Sequence, residues 1–169
     1  MRPDGKRVKS DDAEYAVVPH IMVQRNDSLN FIEIKVPLSP MQKYLNEKRK
    51  EGHSISHLAL VLAAYTRIVG EFPLLNRFIV NKKIYARNEF AVGMVVLKSG
   101  ADNGTMSKMK FDPADTIFEV NDKINSYIET NREAGDTNKT DKLISKLLSI
   151  PGLLTVGVAA FKWMDKHGL

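Results

Sequence analysis

The sequence contains no cysteine, so disulfides, thiolate metal sites and a cysteine nucleophile are excluded. It also lacks a long apolar run. The longest, IPGLLTVGVAAF (Ile150–Phe161), is shorter than the roughly 20 residues that span a bilayer. The opening stretch, MRPDGKRVKSDDAEY, has no apolar core of the kind found in signal peptides. We therefore expect a cytoplasmic protein without a membrane span.

Several motifs that carry chemistry are also missing. The chain has no GxSxG, no P-loop and no GxGxxG, and its acidic residues do not have the spacing of a metal-binding loop. His53 and His57 stand four residues apart but lack the glutamate and third ligand of a zinc site, and we expect His57 to be a core or capping residue. The sequence places no acid beside any histidine, so it indicates neither a catalytic dyad nor a bound metal.

What is present describes an ordinary globular chain. Its 169 residues are 43% hydrophobic and 27% charged, which favours one soluble domain with a real core. The net charge is +5, and the basic residues form small clusters: GKRVK, NEKRKEG, NKK and SKMK. Acids are interleaved and no aromatic residues alternate with the basic ones, so we expect no nucleic-acid partner. Solvated faces explain such clusters, and a phosphate-bearing small molecule would use them equally well.

The first half of the chain predicts strand, helix, helix and hairpin. Residues 1–27 form a polar lead segment, and 28–169 form the domain. NFIEIKVPLS alternates like a half-exposed strand. Ser39 and Gln42 then suit a capping box, and SISHLALVLAAYTRIVG predicts a helix that is apolar nearly all round and therefore central. EFPLLNRFIV follows, with Pro73 ending the helix and Leu74 and Leu75 expected in the core. Asn81 and Lys82 predict a hairpin turn.

The second half predicts two strands and three helices. FAVGMVVL reads as a buried inner strand in which Gly93 indicates a close approach by backbone or ligand, and MSKMKF as a weaker strand. Thr116 and Glu119 suit a capping box that opens a long helix. DKLISKLLS and PGLLTVGVAAFKWMDKH predict two more helices, the last stopped by Gly168. The order predicts an α+β or layered α/β domain with a mostly antiparallel or mixed sheet.

Four segments, in order, resemble the catalytic domain of 2-oxo acid dehydrogenase acyltransferases. They are IEIKVPLSPMQKYLNEKRKEG, SHLALVLAAYTRIVGEFPLLNRF, FAVGMVVL and FDPADTIFEVNDKIN. These dihydrolipoamide acyltransferases are relatives of chloramphenicol acetyltransferase. The resemblance implies a chloramphenicol acetyltransferase-like fold, a mixed β-sheet flanked by helices, and a homotrimer with its active site between subunits. It implies transfer of an acyl group between coenzyme A and a thiol, hydroxyl or amine acceptor. Coenzyme A or acyl-CoA is then a substrate, and no cofactor is tightly bound.

The chain departs from that family at the catalytic motif. In the family, the histidine of HxxxDG is the base and a Ser or Thr of a later strand stabilises the oxyanion. The chain contains neither HxxxDG nor the SNLG-like strand. The resemblance therefore implies a chain truncated at its C-terminus, missing roughly the last third of the fold and inactive by itself. The alternative is a non-catalytic assembly or ligand-binding module of the same fold. The apolar LLSIPGLLTVGVAAFKW would then seek a partner rather than pack in the core.

Three residues carry over from the resemblance. Arg25 resembles an N-terminal arginine that pairs with the Asp of HxxxDG in chloramphenicol acetyltransferase, and it is either a salt-bridge candidate or a solvated arginine. Asn76 and Arg77 match the family's helix-to-strand corner. They either cap helix carbonyls or line the coenzyme A channel.

Overall fold

The chain is an α+β protein with five α-helices and two small antiparallel sheets in the residues described. A computed structural model describes residues 2–9, 12–97, 104–133, 149 and 152–168. The helices are α1 (Ala13–Ile21), α2 (Leu38–Lys50), α3 (His57–Glu71), α4 (Ile117–Glu133) and α5 (Leu153–His167). The strands are β1 (Gly5–Arg7), β2 (Arg77–Val80), β3 (Lys83–Arg87), β4 (Phe90–Leu97) and β5 (Gly104–Phe111). The helix predicted over DKLISKLLS, residues 141–149, lies outside the described residues except for Ser149.

The described strands form two antiparallel sheets rather than one mixed sheet. The first has the order β1-β3-β2 and the second pairs β4 with β5. The β2–β3 connection is a two-residue turn, which reverses the chain and makes its ladder antiparallel. β1 belongs to the lead segment, yet it is an edge of the first sheet. Gly5 lies so close to Phe78 and the Ala86 carbonyl that a Cβ would stand 2.7 Å from both.

The hairpin turn is confirmed where the sequence placed it. Asn81 and Lys82 have φ angles of 50° and 59°, the left-handed pair that a type I′ turn requires. Val80 faces Lys83 across the turn, and the ladder continues to Arg77 opposite Ala86. The turn twists in the sense that the flanking strands need, which fixes the register of the whole hairpin.

The core lies between α3, α4 and the second sheet. One face of α4 is apolar and packs in this core, with Val120 and Ile124 fully buried and Tyr127 donating from its hydroxyl to the Met94 carbonyl at 2.6 Å. The other buried members of the cluster are Leu45, Ile55, Ala59, Val69, Phe90, Met109 and Phe111. α4 is thereby tied to both α3 and β4.

One predicted capping box is confirmed and one is wrong. Thr116 accepts from the Glu119 N–H at 3.3 Å, and the Glu119 carboxylate accepts from the Thr116 N–H at 2.7 Å. Helix α2, in contrast, begins at Leu38, one residue before the predicted Ser39 cap. Gln42 instead donates to the Asn46 side chain at 3.0 Å. Pro40 then lies in the first turn, where its missing N–H costs nothing because those donors have no partner in the helix.

Asn121 joins α4 to the start of α3. Its side-chain oxygen accepts from the Ser56 N–H at 3.1 Å, and its amide donates to the Ser54 carbonyl at 3.1 Å. Ser56 is the N-cap of α3 and accepts from the Ala59 N–H at 3.0 Å. The buried amide satisfies backbone groups that the fold takes out of water, so this junction is fixed by hydrogen bonds as well as packing.

Three elements are less buried than predicted. FIEIKV is extended but pairs with no strand of the described chain, so it is not the predicted sheet strand. Among the described strands β4 pairs only with β5, and it exposes Leu97, so it is not an inner strand of the described sheet. α3 buries only the side that faces α4, and one of its apolar sides, which includes Val61 and Tyr65, is exposed. Leu74 and Leu75 are exposed rather than in the core.

The last helix confirms its predicted end. α5 stops at His167, with Gly168 as the left-handed C-cap at a φ of 75°. Its apolar residues Val156, Phe161 and Trp163 are exposed rather than packed in the core. In the part of the chain described, no helix combines the length and the apolar character needed to cross a membrane.

Candidate functional site

The structure brings two separated basic clusters into one cleft, which we call the basic cleft. Arg7 and Lys9 come from the GKRVK cluster, and Lys82 and Lys83 from NKK. His20 of α1 lies beside them. The cleft has a volume of about 410 Å³ and is completed by Val8, Ala16, Pro19 and Ile84. Residues more than 70 positions apart thus share one site.

The β1–β3 ladder positions the basic side chains. Arg7 pairs with Tyr85, and the Val8 N–H donates to the Ile84 carbonyl at 2.9 Å, just beyond the end of the ladder. This register places the residue after Val8 next to the residue before Ile84, so Lys9 and Lys83 meet at the same edge. Lys82 is held at the adjacent turn by its left-handed backbone. The cluster is therefore set by strand pairing and not by sequence spacing.

The chemistry of the basic cleft suits an anion. No acidic residue is among the described residues that line it, and its floor is apolar, with buried Pro19 and half-buried Val8 and Ile84. Exposed lysines and an arginine supply charge and hydrogen-bond donors to phosphate oxygens. The described part of the lining contains no carboxylate, and His20 is its only ionisable group besides the lysines and the arginine. Its composition favours binding of a phosphate-bearing molecule over chemistry upon it.

Asn76 and Arg77 lie at the predicted corner between α3 and the first sheet. α3 ends at Glu71, and residues Pro73–Asn76 form a 3-10 turn that leads directly into β2. Asn76 donates from its amide to the Glu89 carbonyl at 3.2 Å, so it braces the β3–β4 connection and not a helix carbonyl. The Arg77 guanidinium lies 5.9 Å from the centre of the Tyr15 ring on α1. The two neighbours therefore contact different elements.

Asn76, but not Arg77, lines a cleft of about 360 Å³ beside the corner, which we call the corner cleft. Its floor includes Phe90 and Phe111, and its polar rim includes Arg87 and Glu89. An apolar floor with a few polar groups is typical of a small-molecule site. The resemblance assigned Asn76 and Arg77 to the same helix-to-strand corner, but in the structure their side chains contact different elements.

A third cleft shares Arg87 and Glu89 with the corner cleft. It measures about 400 Å³ and lies against β4 and β5, with Gly93 and Lys108 in its lining. The expected close approach of other backbone to Gly93 is not found within the described residues, while approach of a ligand to this cleft residue stays a prediction. A Cβ there would meet only the Met106 sulfur, at 3.9 Å, because the glycine faces open space.

The histidines form no catalytic arrangement with described residues. His53 packs on the ring of Phe118 at 4.6 Å, and His57 is exposed at the first position of α3 rather than in the core. The Nδ1 atom of His167 lies 2.7 Å from the Trp163 carbonyl in the last turn of α5. No ion pair in the described chain involves a histidine, and no cluster of described side chains has the composition of a metal site.

Arg25 opens a 3-10 turn, Arg25–Ser28, just before the extended segment. Its side chain lies outside the described part of the structure, and the expected salt bridge therefore does too.

An ion-pair network among the described residues is centred on Arg2. Arg2 bonds the carboxylates of Asp4 at 2.9 Å and Asp165 at 2.7 Å. These bonds raise the pKa of Arg2, and its guanidinium lowers the pKa of Asp4.

Comparison with known protein families, curated proteins and solved structures finds no match. The site must therefore be argued from its own residues. Sequence reasoning identified the two basic clusters but not their convergence, because β1 has only three residues and shows no periodicity. The one available signal was the β-rich pattern of KIYAR, which predicts a strand that could take a second partner.

Proposed function

We propose that this chain is a coenzyme A-binding protein of the acyltransferase type, with residues 28–169 as part of the acyltransferase-like domain. The parent activity is transfer of an acyl group between coenzyme A and a thiol, hydroxyl or amine. In this proposal the fold is of the chloramphenicol acetyltransferase type and the chain assembles as a homotrimer. The ordered resemblance of four sequence segments supports it.

The observation that carries the proposal is the basic cleft. Coenzyme A bears phosphates, and the cleft offers Arg7, Lys9, Lys82 and Lys83, with no acid among the described residues of its lining. An exposed cluster of one sign attracts an anionic ligand over a distance of about 8–10 Å at physiological salt. We assign the phosphates of coenzyme A to this cleft. Asn76 would line the acyl or pantetheine path, and Arg77, which contacts α1, would have a structural role.

The chain by itself should not catalyse the transfer. It contains no HxxxDG motif. Each described histidine lacks a carboxylate partner within ion-pair distance, so no carboxylate of the described chain orients an imidazole as a base. Binding of coenzyme A without turnover is the expected behaviour.

Turnover is tested by incubating the purified chain with acyl-CoA and either a hydroxyl or an amine acceptor. Released coenzyme A is titrated with a thiol reagent, and the protein adds no background because it contains no cysteine. A thiol acceptor is tested by chromatographic detection of the new thioester. We expect the rate without protein in every case. Saturable transfer by the purified chain would show that a base exists outside the family motif.

Binding of coenzyme A is tested by calorimetry with a charge-reversed pair. Lys82→Glu with Lys83→Glu should raise the Kd for coenzyme A at least about tenfold, because two attractive contacts become repulsive. The matched control, Lys43→Glu with Lys50→Glu, changes the net charge equally but lies on α2 in another cleft. It should leave the Kd within about twofold. Equal weakening by both pairs would show only a general charge effect.

The second candidate is a non-catalytic assembly or ligand-binding module of the same fold. The exposed apolar sides of α3 and α5 favour it. Two ligands distinguish the candidates when their affinities are compared with that of coenzyme A. Pantetheine lacks the phosphates, and ATP lacks the pantetheine arm. Coenzyme A binding much more tightly than ATP supports the acyltransferase type. Equal affinity for both indicates a module that recognises phosphates alone.

A further inference from the structure

The extended segment FIEIKV, residues 31–36, exposes its apolar side chains to solvent. Phe31 is 87% exposed, Ile32 77% and Ile34 76%. The segment connects the 3-10 turn at Arg25–Ser28 to α2 and belongs to no strand ladder of the described chain. A soluble protein rarely displays such a row of β-branched residues on extended backbone without a partner.

The alternation within the segment defines two faces. Ile32, Ile34 and Val36 share one face, and Glu33 and Lys35 share the other. The two charges are opposite in sign and flank Ile34 symmetrically. A strand with this pattern is complementary to an antiparallel copy of itself, because reversing the direction exchanges the acid and the base.

One register satisfies this symmetry. When Ile34 faces Ile34 of a second copy, Glu33 faces Lys35 and Lys35 faces Glu33, while Ile32 faces Val36. Opposite charges directly across an antiparallel pair are stabilising, and so are β-branched pairs. The contact is isologous, as in a twofold dimer.

Pro37 is compatible with the same register. If Ile34 occupies a hydrogen-bonded pair, then residues 32 and 36 do too, and residues 33, 35 and 37 point their backbone groups away from the partner. The missing N–H of proline is then not needed in the ladder. The charged pairs fall on the non-hydrogen-bonded sites, where facing side chains are closest.

We propose that residues 31–37 form an antiparallel two-stranded ribbon with the same segment of a second copy of this chain. The edges of the second sheet are poorer partners. β4 has no charged residue to face Glu33 and Lys35, and β5 offers Lys108 and Lys110 but no acid. The contact is small, so we expect weak, reversible association. It does not depend on the proposed function. Because it is twofold, it would join subunits of two different trimers and not subunits within one trimer.

Single cysteines test the register, since the chain has none of its own. Ile34→Cys should form a disulfide-linked dimer under mild oxidation. Ile32→Cys alone and Val36→Cys alone should stay monomeric on a denaturing gel, because each faces a different residue. An equal mixture of those two variants should give a linked heterodimer. A disulfide forms only when the two Cα atoms lie within about 7 Å, so the pattern of linked variants distinguishes the proposed strand register from others.

Other patterns overturn the proposal. Linked dimers from all three single variants would indicate parallel, in-register pairing. The same low yield from all three would indicate random collision between exposed thiols, as calibrated by Ser126→Cys on the exposed side of α4. Circular dichroism checks that each variant is folded.

Charge exchange tests the Glu33–Lys35 pairing in the Ile34→Cys background. Glu33→Lys should lower the association constant about tenfold, because two attractive pairs become repulsive. Lys35→Glu should do the same. Mixing the two variants should restore linkage, since lysines then face glutamates, and so should the double exchange in one chain. Linkage that ignores these changes would exclude the proposed register.

Discussion

At the scale of single residues, Asp115 shows how one carboxylate fixes the entry to α4. Burial alone would raise the pKa of Asp115, but hydrogen bonds from the Lys123 ammonium and the Asp112 N–H outweigh it and lower the pKa. The Lys123 nitrogen lies 2.5 Å from the carboxylate, and the Asp112 nitrogen lies 2.7 Å from it. The ionised form therefore ties the end of β5 to the second turn of α4.

Asp115→Asn should lower the free energy of unfolding by about 1 kcal/mol at pH 7, because it removes the ion pair. A lowered folded pKa contributes stability above the unfolded value near 4, and that stability is lost as the pH falls through the folded pKa. The difference between wild type and variant should therefore shrink below about pH 4. Urea denaturation at pH 7 and pH 3 measures it. Asp122→Asn, exposed on the same helix, is the control. A difference of unchanged size at pH 3 would contradict the assignment.

The sequence separation between a residue and its hydrogen-bond partner decides whether the contact can be predicted from the sequence. Thr116 and Glu119 form hydrogen bonds within one helical turn, so their capping box can be predicted from a window of four residues. Asn121 bonds Ser54 and Ser56, which precede it by 67 and 65 positions. Nothing in the local pattern distinguishes Asn121 from exposed Asn125. Only the packing of α4 on α3 gives it a role.

At the scale of elements, the β2–β3 hairpin combines a strained turn with part of the basic cleft. Lys82 has a φ of 59°, a conformation that costs a side chain with a Cβ roughly 1 kcal/mol. Glycine is the usual residue at this position of a type I′ turn. The native lysine therefore suggests that charge at this turn matters more than stability.

Lys82→Gly should raise the free energy of unfolding by about 0.5–1 kcal/mol through relief of the left-handed strain. The same change should weaken coenzyme A binding, because it removes a charge from the basic cleft. Thermal unfolding and calorimetry measure the two effects. Lys82→Ala is the matched control, since it removes the same charge but keeps the Cβ. A stabilised variant with unchanged binding would remove Lys82 from the site.

At the scale of the whole molecule, the two ends of the described chain are held together. Arg2 bonds the Asp165 carboxylate and backbone carbonyl, and Asn81 donates to the Lys166 carbonyl at 2.8 Å. These contacts place the C-terminal end of α5 against β1 and the hairpin turn. The arginine side chain is largely buried between Asp4, Asp165 and the Phe78 ring.

Arg2→Ala should release the end of α5 from the first sheet, because it removes the central donor of this contact. Hydrogen–deuterium exchange should then be faster for the last two turns of α5 and unchanged for α4, whose core contacts are elsewhere. Arg132→Ala, an exposed arginine on α4, is the control. Equal exchange in α5 of wild type and variant would show that Asn81 and packing suffice to hold the helix.

The sequence by itself determined the local elements, because their causes lie within a few residues. The Asn81–Lys82 turn, the Thr116–Glu119 box, the apolar face of α4 and the glycine stop of α5 follow from spacing and backbone preference. The tertiary structure alone decided which elements meet. It made β1 an edge of the first sheet, left residues 31–36 outside the strand ladders of the described chain, and gathered the basic cleft from the two strands of the β1–β3 ladder. Strand partners are chosen by long-range packing, and no short window of sequence contains that information.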